Sequence, residues 1–490
     1  MNRAPTRPPR RPALAGTQAD TIMQKMYPAT WLLLGLLALL ALPPARAVET
    51  DMSARDPSTV VKSGGTYWVY GTGRGVPQYS SPDRVHWTFQ GPVFPAAPAW
   101  VADTVPANTR NFAWAPDLHF FGGLWHLYYC YSSFGSKVSG IGMATNPTLD
   151  PKTWADQGVV VRTGADTNYN AIDPCIFLDA SGKPWLSFGS YFSGIKLIEI
   201  DPATGKRAAG GTVMNIATRP HTPPNAIEAS CVYYHAGYYT LFVAWDACCA
   251  GAKSTYNIRM GRSRTVTGPY LDKAGKDMME GGGSLFLGAV PDNGSGRPVD
   301  DEVGAGHAGI LEDGNGTYVS YHEEWARDRK GQTTLNINAL AWDSDGWPRL
   351  VLDPGPYRLV SALATHGAAD AAGGAVKTAL PSGGTGQRWT LHHLGDGYYS
   401  LVSASGGKAL GVAGDAVRPG APVEAAAYQG RDSQKWYLQQ NDDGTWTLLS
   451  KSSARASALD VTGCSLSDGT PLEQWTANGL DCQKWSFRAR

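Results

Sequence analysis

At 490 residues, with 42 Lys/Arg against 42 Asp/Glu and 58 Gly, 17 Trp and 22 Tyr, the chain is too long for one small core and too weakly charged to favour nucleic acid. The first 47 residues hold six bases and one acid, so the remainder carries 42−6=36 bases and 42−1=41 acids. No basic patch reverses that mildly acidic balance, which excludes an electrostatic attachment to anionic membrane.

The chain opens with Arg- and Pro-rich sequence, then the apolar run WLLLGLLALLAL, then PPARA ending at Ala47. About a dozen apolar residues are short for a bilayer span, and small residues after them form a cleavage pattern. We expect a signal peptide over 1–47 and a secreted mature chain, extracellular or periplasmic, with no membrane contact once the signal is removed. A retained membrane anchor is the alternative, and the long basic lead allows translation to begin at Met23 or Met26.

From residue 48 one phrase recurs: a turn glycine followed by an alternating aromatic run. It reads GGTYWVYGTG, GGLWHLYYCYSS, SGKPWLSFGS, AGYYTLFVAW and NGTYVSYHEEW, with glycines at 65, 123, 182, 237 and 316. The steps are 58, 59, 55 and 79, the last lengthened by the insertion GGGSLFLGAVPDNGSGRP. Apolar alternation on both sides of a turn predicts a hairpin, and five such units predict a five-bladed β-propeller. Nine positions before each glycine stand Asp56, Trp114, Asp173, Glu228 and His307. If each lies on the innermost strand of its blade, the five form one ring around a central funnel.

Three carboxylates, an aromatic ring and no basic partner in register suit acid–base work on a neutral substrate, or metal binding. Inverting hydrolysis of a glycosidic bond needs one carboxylic acid, one carboxylate and room for water between them. The acid must keep its proton near neutral pH, which burial and a neighbouring negative charge can arrange. A Trp supplies a stacking floor for a sugar face.

The segments RDPSTVVKSGGTYWVYGTG, WAPDLHF, YSSFGSKVSGIGMAT, NAIDPCIF, NAIEASCVYYHAGYYTLFVAWDACCAG, STYNIRMGRS, TGPYLDK and GHAGI together resemble glycoside hydrolase family 43, and within it the endo-1,5-α-L-arabinanases. The resemblance covers nearly all of residues 50–353. It implies a five-bladed propeller that inverts, with Asp56 as general base, Asp173 as the group that orients and tunes the acid, and Glu228 as general acid. It implies that Trp114, Phe134, Asn170 and Ser190 shape the substrate cleft. It also places His307 next to a hydrated metal, usually calcium, with no organic cofactor. The implied partner is plant cell-wall polysaccharide, arabinan in pectin side chains, acted on by a monomer. Three departures stand out: Arg55 where many relatives have His before the base, Ser230 where they have Pro after the acid, and LNINAL without an arginine that several carry. None touches the carboxylates. An exo-acting α-L-arabinofuranosidase or a β-xylosidase of the same family is the nearest alternative. A retaining fructan hydrolase or a non-catalytic carbohydrate-binding protein stands further off.

After residue 355 the composition turns to Ala, Gly and Ser, with QRW at Gln387 and QKW at Gln434 and Gln483. Three copies at this period resemble a ricin-B-type β-trefoil lectin, over residues 356–490, in which the three Trp residues would be core. The third repeat reads ALDV and EQW, and the resemblance makes Asp460, Trp475, Asn478 and Gln483 its sugar-binding set. The second repeat has Gly411 in place of the Asp, and the first has no recognisable ALDV, so one working site is expected. The fold class is therefore all-β, a propeller over 48–355 followed by a trefoil.

Seven cysteines leave at least one thiol unpaired. Cys464 and Cys482 flank one repeat and could bridge. Cys130, Cys175 and Cys231 read as buried small hydrophobes. Adjacent Cys248 and Cys249 could form a vicinal disulfide or remain free.

Overall fold

The structure is a computed structural model that describes residues 48–288, 302–314, 316–326, 330–343, 345–352, 354–363, 367–395, 397–441 and 444–489. The signal-peptide reading of 1–47, and most of the Gly-rich insertion, lie outside those residues. Among the described residues, five separate antiparallel sheets of four or five strands are followed by one 12-stranded sheet. These are the five blades of a propeller and the closed barrel of a trefoil.

The first four blades open on Val61–Ser63, on Phe112–Phe121, on Cys175–Leu178 and on Ile227–His235, each in hydrogen-bonded contact with the next strand in sequence. In the second blade a short strand, Gly73–Arg74, adds inside Phe112–Phe121. The fifth blade opens on Glu302–Asp313, continues through Gly316–Ala326 and Gln332–Trp342, and is closed by the first strand of the described residues: Val48–Glu49 pairs with Ile337 and Asn336. Mixing the first strand into the last blade joins the ends of the ring by hydrogen bonds.

Local chemistry explains the hairpins. Gly65, Gly123, Gly182 and Gly237 have φ between 83° and 86°. In three of these blades the residue before the glycine is also left-handed (Gly64, Gly122 and Ala236), as a two-residue turn matching strand twist requires. The fifth blade departs from the expected frame. Gly316 pairs with Asp313 and opens the returning strand, so it is not a turn residue.

A second feature repeats at the funnel. Asp56, Asp173 and His307 have positive φ (46°, 55° and 60°), and so do Ala115 and Ala229, the residues after Trp114 and Glu228. Strand register slips between Trp114 and Asp117, between Glu228 and Cys231, and between Gly306 and Gly309. The inner strands of the second, fourth and fifth blades are thus kinked at this level, a bulge-like device that re-aims side chains. Asp56 and Asp173 instead stand ahead of their inner strands, not on them as expected.

In the trefoil, Trp389, Trp436 and Trp485 are fully buried, and their indole N–H groups donate to the carbonyls of Ala369, Leu410 and Leu459. They are core, as expected. Gly355–Ser361 pairs with Trp485–Ala489 to close the barrel. Cys464 and Cys482 form a disulfide, while Cys130, Cys175 and Cys231 are buried free thiols. Gln440 joins the two domains by accepting from the Leu350 amide and donating to the Phe286 carbonyl at 2.7 Å.

Candidate active site

Asp56 sits ahead of the first inner strand with its carboxylate anchored on blade 1. Thr72 Oγ1 donates to Asp56 Oδ2 at 2.6 Å, and the Asp56 amide donates to His322 Nδ1 at 3.0 Å. His307 and His322 place their Nδ1 atoms 3.8 and 3.7 Å from Asp56 Oδ1. Burial pushes the Asp56 pKa up, but His322, His307, the Thr72 hydrogen bond and Arg55 together outweigh it and hold the carboxyl below its ordinary value. Asp56 is therefore ionised.

Glu228 lies in the opposite environment. It is buried, and burial lifts its pKa above the ordinary value, with the negative charge of Asp56 adding to the rise. Ser190 Oγ donates to its Oε2 at 2.6 Å and Tyr256 Oη to its Oε1 at 3.0 Å, which fixes the plane of the carboxyl group. Asp173 is buried too, accepts the Ala229 amide at 3.3 Å, and is raised far above the usual carboxylate range by burial and then by Glu228 and Asp56. Three acids that feel one another's charge are thus divided: one kept ionised, two biased towards the neutral form.

His307 is buried, and burial lowers its pKa against the pull of Asp56. Calcium takes six to eight oxygen ligands. Among the described residues no three metal-ligating side chains converge at His307; the one such group is Cys248, Cys249 and Glu324. The described protein groups at His307 make no calcium cage, so an ion there would have to be held mostly by water.

The cleft residues divide into three kinds. Trp114 is half-buried and packs on the cluster containing Ile172 and Phe188. Phe134 is 83% exposed in the loop before Ser139–Asn146, free to offer a face. Asn170 accepts from Ser139 Oγ and donates to the Ser136 carbonyl, so it pins the Phe134 loop from beneath. Ser190 is no turn cap; it holds Glu228.

Sequence spacing did not reveal Thr72, His322 or Tyr256. All three sit on later strands or connections of their blades, outside the nine-residue frame. His322 had one available signal: it pairs across the hairpin with Gly306, neighbour of His307. A cavity of about 770 Å³ borders Tyr256, lined also by Tyr191, Asp246, Lys253 and Arg259.

The trefoil shows its own internal register. The side chains of Gln387, Gln434 and Gln483 accept from the amides of Ser382, Gln429 and Asn478, and donate to the carbonyls of Leu380, Ala427 and Thr476. Gln483 is 0% exposed and also donates to Asp460 Oδ2 at 2.7 Å, so it positions Asp460 and cannot itself reach a ligand. By the Trp anchors, Asp370 in the first repeat aligns with Gly411 and Asp460. That corrects the expectation that the first repeat has no counterpart of the Asp; the segment AAD hid it. By the Gln anchors, Ala379 and Ala426 stand where the third repeat has Trp475, which is 44% exposed. The third repeat alone combines the Asp, an aromatic and exposed Asn478.

A five-bladed funnel that biases one carboxyl group towards the ionised form and two towards the neutral form has the parts a glycoside hydrolase needs. The chain belongs to the glycosyl hydrolases family 43, whose family model matches residues 50–348, and residues 351–426 and 432–490 match the ricin-type beta-trefoil lectin domain-like model. Over 297 residues it is 42% identical to extracellular endo-alpha-(1->5)-L-arabinanase 1 of Bacillus subtilis, covering 60% of this chain and 86% of that protein. Over 342 residues it is 35% identical to the extracellular exo-alpha-(1->5)-L-arabinofuranosidase of Cellvibrio japonicus, covering 67% and 94%. The solved endo-arabinanase of Bacillus licheniformis superposes with a TM-score of 0.57 at 39% identity, over 62% of this chain and 100% of that one.

Proposed function

We propose that this chain is a secreted inverting hydrolase of α-1,5-L-arabinofuranosidic bonds, cutting within arabinan chains. The observation that carries the reading is the division of the carboxylates, with Asp56 held ionised and Glu228 held towards the neutral form. Asp56 takes a proton from water as it attacks the anomeric carbon, and Glu228 gives its proton to the leaving oxygen. Each transfer contributes about 10²–10⁴ in rate. Asp173, itself held towards the neutral form and bonded to the Ala229 amide, orients the acid. Burial and the charge of Asp56 keep Glu228 protonated, and Thr72 and His322 hold Asp56 on line. Phe134 and Trp114 offer faces for the sugar rings. A hydrated calcium ion would touch the protein through His307 and add positive charge near Asp56; no proton transfer runs through it. The names of the B. subtilis and C. japonicus relatives support the substrate and the extracellular location.

The exo-acting reading keeps a specific support in the exo-enzyme of C. japonicus. Trp475, Asn478 and Asp460 would hold the enzyme on polysaccharide while the funnel works, since tethering makes the second contact intramolecular.

The test is the product-size profile over time on linear α-1,5-arabinan, for the chain and for Glu228→Gln, with and without chelator. An early ladder of oligosaccharides that falls by about 10²–10⁴ in the variant is expected. Arabinose alone from the first time point would replace the endo reading by the exo one. No release from arabinan would overturn the substrate, and a chelator without effect would remove the ion.

A further inference from the structure

Cys248 and Cys249 follow the second strand of blade 4, and neither is disulfide-bonded. Their Sγ atoms lie 2.7 Å apart, with Cys249 exposed and Cys248 half-buried. Their setting is built from three directions. Glu324 of blade 5 accepts the amide of Ala250 at 3.0 Å and that of Cys249, clamping the loop backbone. Arg55 Nη1 donates to Cys249 Sγ at 3.3 Å. The Cys248 thiol is pushed up by its hydrogen bond with Cys249 and by burial, and it stands near enough to Glu228 for that carboxylate's charge to add to the rise. The pair thus lies between the residue before Asp56 and the carboxyl group of Glu228.

That setting favours thiol chemistry over metal binding. Glu324 lies close enough to complete a three-ligand cluster with the two sulfurs. Both its oxygens, however, already accept backbone N–H groups, and the Arg55 cation stands against Cys249. A cation beside one sulfur and a thiol beside it stabilise the thiolate, the form that attacks disulfides. The Cys249 thiol is accordingly lowered, first by the Cys248 hydrogen bond and then by Arg55 against burial.

We propose that Cys248–Cys249 is an oxidative modification site, closed to a vicinal disulfide by low-molecular-weight disulfides of the surroundings, and that closure slows hydrolysis at Glu228. The Cys249 thiolate attacks one sulfur of an RS–SR oxidant and releases RS⁻, leaving a mixed disulfide. Cys248 then loses its proton and attacks Cys249 Sγ, releasing the second RS⁻. The protein gives up two electrons and the oxidant becomes two RSH. Closure removes the thiolate that bonds Arg55, the residue before Asp56, and replaces the thiol near Glu228, and it strains a loop whose backbone Glu324 holds. The rate effect rests on the hydrolase reading above; the chemistry of the pair does not.

The experiment treats the purified chain, in the presence of EDTA, with bis(2-hydroxyethyl) disulfide and then with a reductant, and restores calcium in excess before each rate is read. Expected are the loss of two reactive thiols, a peptide spanning Cys248 and Cys249 lighter by about 2 Da, and hydrolysis slower by about ten-fold, the size of the one hydrogen bond lost between Arg55 and Cys249, restored on reduction. Cys249→Ser, and Cys249→Ala should the first fold poorly, should show neither the mass loss nor the slowing. A stable mixed disulfide without ring closure would overturn the site, as would slowing in EDTA-free buffer that chelator reverses. Ring closure that leaves the rate on arabinan unchanged would overturn the control of Glu228. Because the mass loss is read without substrate, it stands or falls apart from the arabinan reading.

Discussion

Glu228 accepts two hydroxyl hydrogen bonds, from Ser190 and Tyr256, and each favours the ionised form against the burial that favours the acid. The net shift is upward, so the protonated acid persists to a pH above the ordinary glutamic value and is lost as pH rises through the raised value. Asp56 is shifted the other way, so the base is lost only as pH falls below the ordinary aspartic value. Activity should therefore fill the window between the two. Removing the Ser190 donor by Ser190→Ala takes away a lowering influence. The alkaline limb of kcat/KM on soluble arabino-oligosaccharides should move up, and kcat should fall by about ten-fold as the carboxyl loses an anchor. A limb that stays in place while kcat falls would show that Ser190 only packs.

At the scale of elements, the first three blades are tied together by Asp117. Its carboxylate, buried on the inner strand of blade 2, accepts the Thr59 amide of blade 1 at 2.9 Å and the Ile176 amide of blade 3 at 3.0 Å. Burial lifts its pKa to about 6 against those hydrogen bonds. With the folded value above the unfolded one, this group's contribution is complete below the unfolded value and declines as pH rises through about 6. Asp117→Asn offers one acceptor oxygen for two amides, leaving one N–H facing an NH2 group. It should cost about 1–3 kcal/mol, read as a Tm lower by several degrees at neutral pH. An unchanged Tm would mean that the blades do not lean on this clamp.

At the scale of the molecule, ring closure and domain attachment use contacts placed far apart in sequence. Val48 and Glu49 close the ring on Ile337 and Asn336, and Gln440 reaches both Leu350 and Phe286. The trefoil then presents Trp475, 44% exposed, beside Asn478. If that surface tethers the enzyme, Trp475→Ala should lower the fraction of full chain bound to insoluble, arabinan-bearing wall polysaccharide by about ten-fold, with turnover of soluble oligosaccharides unchanged. Equal retention by the variant and the parent chain would place tethering elsewhere or nowhere.

The hairpin phrase and its aromatic alternation determined the five blades. Strand and turn chemistry are local: a glycine must take the left-handed turn, and period-two alternation must face a core. The same frame brought Asp56, Asp173, Glu228 and His307 together on paper, because equivalent positions of a closed ring meet at its axis. Tertiary structure alone decided what each of them is. Thr72, His322, Ser190 and Tyr256 reach the carboxylates from other strands or other blades, and burial together with those partners sets which acid keeps its proton. Likewise the QxW spacing marked the three lobes of the trefoil, while only the shared Trp and Gln hydrogen bonds aligned Asp370 with Asp460 and showed Gln483 turned inward. Spacing records what recurs along a chain; charge and solvent exclusion at a site depend on neighbours that no spacing contains.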